Sequence, residues 1–437
     1  MDFTIEKLIY GGDGLARTPP DSQGRRKAVF IPFVLPGERV EAALVEEKPG
    51  FARARVEKIL EASPQRGQPA CPHFAQCGGC HYQHTTYEQQ LEIKAAILRE
   101  TVQRIAKLEL LEPLITHPSP PWNYRNRTRM RLQAEPEFVL GYYRFGSHSL
   151  LPVEECPISS PLINRALAAM WEMGREGQVP AGIQEVEFFA NAEDTQLLVE
   201  LHVLDRSAST SVPQLAEFAQ MLKAALPQVA GVAVFTENHG ALVRQDIPAN
   251  LTDAFGAESL TYNIGSASYQ VSAGSFFQTN RFLTGELVRL ATANRAGDFA
   301  LDLYAGTGLF SLPLSQTFRE VAAVEAAPFA FHDLKQNSPS NVTGYRVTAD
   351  KFLAYLPAAT RFDYVVVDPP RSGLGEKLTL VLAGLQAPAI TYVSCDPSTL
   401  ARDLRVLLQA GYHVERAHLI DLFPETFHIE TVVWLAR

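Results

Sequence analysis

The sequence predicts an α/β protein: a parallel sheet covered by helices in the C-terminal part, preceded by a small β-barrel and a central β-rich region. Three observations carry this. From about residue 270, near-continuous apolar runs alternate with helical segments, as expected of strands buried on both faces. Residues 1 to about 60 hold short strand-like runs broken by turn dipeptides such as Pro36-Gly37. Residues 115 to about 265 alternate in a way that indicates more strands with some helix. With 437 residues, two or three domains are expected, and their boundaries are drawn at 1–62, 63–268 and 269–437.

Composition narrows the class. Hydrophobic residues at 46% and charged residues at 20% are ordinary for a folded, water-soluble chain. No apolar run reaches the length of a membrane span, so no membrane partner is expected. The start, "MDFTIEKLIYGGDG", has no basic stretch followed by an apolar one; it does not read as a secretion signal, and a cytoplasmic location is the expectation. A net charge of −9 argues mildly against a general nucleic-acid binder, although binding depends on where the charges lie. Nothing points to an obligate protein partner.

In the N-terminal unit, Gly11, Gly12 and Gly14 mark a turn, and "RTPPDSQGRRK" reads as a hairpin tip. Barrels of this size often bind oligonucleotides, though many do other things. "EASPQRGQPA" is a linker, "CPHFAQCGGCHYQH" follows, and a helix is predicted from about Tyr87 to Lys107. "PAGIQEVEFFANAEDTQLLVELHVL" reads as strand, turn, strand. The sheet strands expected near the C-terminus are "FALDLYAG", "VAAVEAA", "YRVTAD", "FDYVVVDPP", "AITYVSCDP", "HVERAHLIDLFP" and "IETVVWLA".

"LDLYAGTGLFSL" puts Gly306 and Gly308 between a strand and a helix. Glycine there lets a ligand approach backbone at a helix N-terminus. Glu325 ends the next strand, 17 residues after Gly308, where an acid can accept hydrogen bonds from ribose hydroxyls. A dinucleotide site wants a third glycine for its pyrophosphate, and Leu309-Phe310-Ser311 has none. A nucleoside cofactor without pyrophosphate, S-adenosylmethionine, fits better. Asp350 then reads as an adenine contact or, equally, as a helix-capping acid.

Asp368 and Cys395 end two consecutive strands, at the edge where open α/β sheets bind ligands. A lone cysteine is commonly a small buried hydrophobe. The strand-mouth position, the Asp-Pro turn after it and the cofactor loop on the same edge favour a nucleophile. A thiolate beside a methyl donor suggests addition to C6 of uracil, which makes C5 carbanionic and able to take the methyl. A base must then remove the C5 proton. Glu430, at the start of the last strand, reaches that edge if the strand is antiparallel; His428 is the rival base.

Cys71, Cys77 and Cys80, spaced C-x5-C-x2-C, and the distant Cys156 are the other cysteines. Four thiolates suit Zn²⁺ or a 4Fe–4S cluster, and their chemistry leaves both open. In "YRNRTRMRLQ", Arg125, Arg127, Arg129 and Arg131 recur at period two, which places them on one face of a strand. With no acid among them, phosphate binding to RNA is expected. One of Phe276 and Phe277 is a candidate to stack on a displaced base, and the other to pack in the core.

With "GGDGLA", "CPHFAQCGGCHYQH", "YRNR", "EECPI", "SFFQTN", "DLYAGTGLFSL", "DPPRSGL", "YVSCDPSTLARDL" and "FPETFHIETVVWL" in one order over nearly the whole chain, the protein resembles the RNA uracil-C5 methyltransferases that carry an N-terminal TRAM barrel and an iron–sulfur cluster, of the 23S rRNA type. The resemblance implies a class I, Rossmann-like S-adenosylmethionine domain behind an OB-like TRAM barrel. It implies Cys395 as nucleophile and Glu430 as base. It implies Gln278, Tyr304, Glu325 and Asp368 as cofactor contacts, with Gly306 in the loop and Asp350 at a poorly matching adenine position. It also implies a 4Fe–4S cluster on Cys71, Cys77, Cys80 and Cys156, and large-subunit ribosomal RNA as substrate. Transfer RNA is the alternative substrate, and a non-catalytic RNA-binding protein the alternative class. The sequence departs from the pattern at Asp396, where many relatives have Asn, and across "PFAFHDLKQNSPSNVTG".

Overall fold

The structure is a computed structural model that describes residues 1–109, 114–203, 211–236, 250–292, 295–357 and 359–437. Its N-terminal unit is a curled six-stranded sheet in the spatial order Asp2–Thr4, Arg39–Glu47, Phe51–Glu61, Ala28–Pro32, Asp13–Arg17, Lys7–Leu8. Alternating side chains such as Val29, Ile31, Val40, Ala42, Ala52 and Ala54 point inward and fill it, as period-two patterning requires. The predicted hairpin tip joins Asp13–Arg17 to Ala28–Pro32.

The central unit is a seven-stranded sheet, antiparallel except where Leu197–Val203 runs parallel to Val229–Thr236. The strand–turn–strand expected at 180–204 forms Ile183–Ala190 and Leu197–Val203. Helices Pro161–Arg175 and Val212–Ala225 bury Leu162, Leu167, Met170, Phe218 and Leu222 in the same apolar core as this sheet. Each begins with serine at the N-cap and proline in the first turn, a strong start signal.

The C-terminal unit holds an eight-stranded sheet in the order 342–345, 318–324, 297–303, 364–367, 389–394, 430–436, 413–420, 114–117. Only Glu430–Ala436 is antiparallel to its neighbours. The order reverses between Gly297–Leu303 and Tyr364–Val367, which opens a crevice at their carboxyl ends. The eighth strand, Leu114–His117, and the Tyr87–Ala106 helix come from the segment drawn as central from sequence. That helix buries Ile93, Ile97, Leu98 and Val102 in the core of this sheet. The four-residue strand was too short to show a period. "YRVTAD" also differs from expectation. The strand is Val342–Tyr345, and Asp350 lies in the first turn of the Ala349–Ala354 helix behind an extended Thr348 N-cap. No described helix is long and apolar enough to cross a membrane.

Candidate active site

The Ala389–Ser394 strand is buried throughout and delivers Cys395 to the carboxyl edge. The helix Pro397–Gln409 starts at once, because the Asp396 carboxylate accepts from the Ser398 and Thr399 amides, each at 2.9 Å. Asp396 is therefore an N-cap. In the antiparallel ladder Ser394 faces Thr431, so Cys395 and Glu430 are the next opposed positions. The antiparallel last strand thus brings thiol and carboxyl together, as the sequence reading required.

The electrostatics there are unusual. Burial pushes the Cys395 thiol up to about 12, helped by the charges of Glu430 and Asp368 and opposed by Arg371. Glu430 is buried; burial, and then Asp368, hold its carboxyl well above the usual carboxylate range, again against Arg371. Burial raises Asp368 to about 7. Arg371, three residues after Asp368 in "DPPRSG", is thus the cation that acts on both thiol and carboxyl. Its Nη2 lies 3.5 Å from His428 Nε2. Sequence reasoning missed it, although it stood inside a motif already singled out. Burial, then Arg371, lowers His428 to about 3; it stays neutral and packs against Phe423 and Phe427.

The glycine loop lies on the same edge. Tyr304, Gly306 and Gly308 have φ of 65°, 57° and 92°, the left-handed region that favours glycine. A Cβ on Gly306 would meet nothing within 4 Å, so the backbone there is open to a ligand. Glu325 already accepts from the Gly306 amide at 2.9 Å and the Ala327 amide at 2.6 Å. It braces the loop, and each oxygen keeps a second lone pair for a ribose. Beneath the loop, buried Asp302 accepts from the Ser311 hydroxyl at 2.6 Å and is raised to about 7, chiefly by burial. Asp350 is exposed, and the Thr348 hydroxyl foremost holds its carboxyl below the usual range. Its side chain is engaged as a helix-start acid. Gln278 is buried beside Phe277, at 2% exposure in the core, while Phe276 is 66% exposed. One ring of the pair is thus in the core and the other at the surface.

The arginine row is corrected. Arg125 precedes the strand, which starts at Arg127. Opposite Arg129 and Arg131, the neighbouring strand presents Glu187 and Glu185. Arg127 pairs with Glu187 and donates to Glu200 at 3.2 Å and to the Ser275 carbonyl. Arg129 and Arg131 both pair with Glu185. The repulsion that seemed to demand an RNA phosphate is relieved by acids across the ladder. Arg127 instead anchors a loop: Glu200 also accepts from the Gly274 amide at 3.0 Å, fixing the segment that carries Phe276 and Gln278. Burial, then Glu187, pushes Glu200 up to about 7 against Arg127.

Cys71, Cys77, Cys80 and Cys156 line one cavity of about 360 Å³ with Arg125, Gln83 and Tyr142. Burial is the main cause that raises the thiols of Cys71, Cys77 and Cys80, to about 11 at Cys77, and charge on Cys156 adds to each rise. Arg125 Nε is buried there without a hydrogen-bond partner. Among the described residues, no three cysteine sulfurs lie within 4.8 Å of one another; the group that does is Glu187, Glu200 and His202, which Arg127 already occupies.

The family described as tRNA (uracil-5-)-methyltransferase matches residues 86–437, and the TRAM domain matches residues 1–56. An uncharacterized RNA methyltransferase of Aquifex aeolicus is 33% identical over 100% of this chain and 98% of its own. The 23S rRNA (uracil(1939)-C(5))-methyltransferase RlmD of Pectobacterium atrosepticum is 32% identical over 99% of this chain and 92% of its own. Pyrococcus abyssi tRNA (uracil-54, C5)-methyltransferase, solved with S-adenosyl-L-homocysteine, superposes over 100% of both chains with a TM-score of 0.76 at 22% identity, a likeness of fold.

Proposed function

Because the chain belongs to the tRNA (uracil-5-)-methyltransferase family of RNA uracil-C5 methyltransferases, we propose that it forms 5-methyluridine in 23S rRNA, with Cys395 as nucleophile and Glu430 as base. The observation that carries this reading is the opposition of Cys395 and Glu430 across two antiparallel strands, beside an open glycine loop. S-adenosylmethionine supplies an electrophilic methyl group on a cationic sulfonium. Gly306, Tyr304, Glu325, Asp368, Gln278 and Asp350 are the residues assigned to hold it.

The Cys395 sulfur adds to C6 of the uracil, and C5 gains carbanion character and takes the methyl group as its bond to the sulfonium sulfur breaks, which leaves a neutral thioether. Glu430 then accepts the C5 proton, the C6–S bond breaks, and the thiolate is regenerated. With the thiol at about 12, the resting nucleophile is neutral. Arg371 supports its ionisation, and Asp368, if it holds the cationic donor as assigned, would place a positive charge that acts in the same direction.

The four-cysteine cavity is assigned a 4Fe–4S cluster with a structural role. A single zinc with sulfurs at ~2.3 Å needs them about 3.8 Å apart. No three of these sulfurs lie within 4.8 Å of one another among the described residues, so the zinc spacing is not met, and the assignment to a cubane, in which each iron takes one thiolate, rests on the four-cysteine set lining one cavity. The cysteine loop is tied to the catalytic edge, since the His81 and Tyr82 amides donate to the Glu425 carbonyl at 2.7 and 3.0 Å.

The decisive experiment mixes the protein with 5-fluorouridine RNA and S-adenosylmethionine. Fluorine at C5 leaves no proton to remove, so a covalent complex should accumulate with the parent and vanish with Cys395→Ala. No adduct with either protein overturns the reading in favour of a binding protein. Mass mapping of ribosomal and transfer RNA from a deletion strain tests the substrate; loss of a transfer RNA methyl group would move it away from 23S rRNA.

A further inference from the structure

The tip of the barrel's first hairpin, residues Ile9–Gly12, leaves the barrel and enters the catalytic unit. The hairpin is tight: the Ile9 amide donates to the Asp13 carbonyl at 2.9 Å and the Gly12 amide to the Ile9 carbonyl at 3.1 Å. Gly11 and Gly12 have φ of 106° and 93°, and a Cβ on Gly12 would come within 3.0 Å of His81. The glycines of "YGGDG" therefore permit both the turn and its close approach to the cysteine loop. Leu8 is buried in the same apolar cluster as Tyr82, Ile390, Tyr392 and Ile429, and Tyr10 packs against that cluster. The barrel is docked through buried contact.

At this tip the Tyr10 ring meets Phe427 edge-on, with centroids 5.6 Å apart. Its hydroxyl donates to the backbone carbonyl of Cys395 at 3.1 Å. The two flanks of Cys395 are also held, by the Asp396 amide on the Ser394 hydroxyl at 3.2 Å and by the Asp396 cap. Tyr10 supplies the bond at the nucleophile itself. We propose that the N-terminal barrel completes the catalytic site, with Tyr10 as a positioning residue that fixes the Cys395 main chain for attack.

This rests on Cys395 being the nucleophile and assigns the barrel a second task besides holding RNA. A nucleophile displaced by about 1 Å loses on the order of a hundredfold in rate; losing one of three restraints should cost less. Tyr10→Phe keeps the ring and removes the hydroxyl. In single-turnover adduct formation on 5-fluorouridine RNA, it should lower the rate constant at saturating RNA about tenfold, while half-saturating RNA stays within about twofold and the melting temperature is unchanged. An unaltered rate constant, or a loss seen only as weaker RNA binding, overturns the proposal. Absence of adduct in the parent instead removes the nucleophile assignment, and the contact is then read without RNA. Iodoacetamide labelling of the full-length protein, followed by mass mapping, should show Cys395 labelled several-fold faster in Tyr10→Ala and Cys156 labelled at the parent rate. Equal Cys395 rates would mean that the barrel tip does not govern this residue.

Discussion

The molecule holds two cysteine environments, and burial raises the thiols in both. They differ in their neighbours. Around Cys395 the opposing groups are carboxyls, Glu430 and Asp368, with Arg371 as the relieving cation. Around Cys71, Cys77 and Cys80 the opposing groups include other thiols, with Arg125 relieving Cys77 and Cys80. A thiol among carboxyls is held back until positive charge arrives, which suits a nucleophile used once per turnover. Thiols that oppose one another are relieved together when a multivalent cation binds them all. Under the proposed function, the same residue type is directed to two chemistries by what surrounds it.

The largest expected effect tests the first environment. Cys395→Ala should reduce methylation about a thousandfold or more and leave bound iron and sulfide at the parent level; loss of iron would merge the two environments. Glu430→Gln should cut turnover about a hundredfold or more, yet still form the covalent complex on ordinary uridine RNA, because addition and methyl transfer precede the base step. A variant that neither turns over nor accumulates adduct would assign Glu430 an earlier role.

Next is the second environment. Cys80→Ser should lower iron and sulfide content and destabilise the protein, read by metal analysis and thermal melting, while the Cys395 alkylation profile keeps its shape. A shift in that profile would show that the cavity sets the nucleophile's ionisation.

The pH dependence follows from the raised groups at the catalytic edge. A base or thiol whose pKa is raised is protonated at low pH and gains competence as pH rises. kcat/KM should therefore keep climbing as pH rises above neutrality toward the raised thiol at about 12, and Arg371→Ala should move the rise to higher pH. A profile that falls over this range would be incompatible with Cys395 and Glu430 as the acting groups. The smallest effects belong to the arginine row. Arg127→Ala leaves half-buried Glu187 and buried Glu200 without their cation and should cost about 3–5 kcal/mol in denaturant unfolding. Exposed Arg129→Ala should cost about 1 kcal/mol or less; equal losses would show that the row acts as one unit.

Much of this was legible in the sequence. Apolar strands separated by helices signalled the parallel sheet, since strands buried on both faces have no polar alternation. The glycine loop, Glu325, Asp368 and Cys395 were legible because ends of consecutive parallel strands share one edge. The arginine row was misread because its neutralising acids lie on another strand more than fifty residues later, as with Arg131 and Glu185. Asp350 was placed on a strand because "YRVTAD" alternates like one, while Thr348 caps a helix there. Arg371 and Tyr10 lacked a signal of their own, since their importance lies in contacts with Cys395, His428 and Phe427.

By itself the sequence singled out the groups proposed to react and determined the local geometry that presents them. Backbone rules act over a few residues, so glycine turns, caps and strand ends are written locally. Only the tertiary structure decided which charges meet. It set Glu430 against Cys395 through an antiparallel register, cancelled the arginines across the sheet, and carried a tyrosine from the far end of the chain to the Cys395 main chain. Burial and Coulomb interactions depend on distance in space, and that distance exists only once the chain has folded.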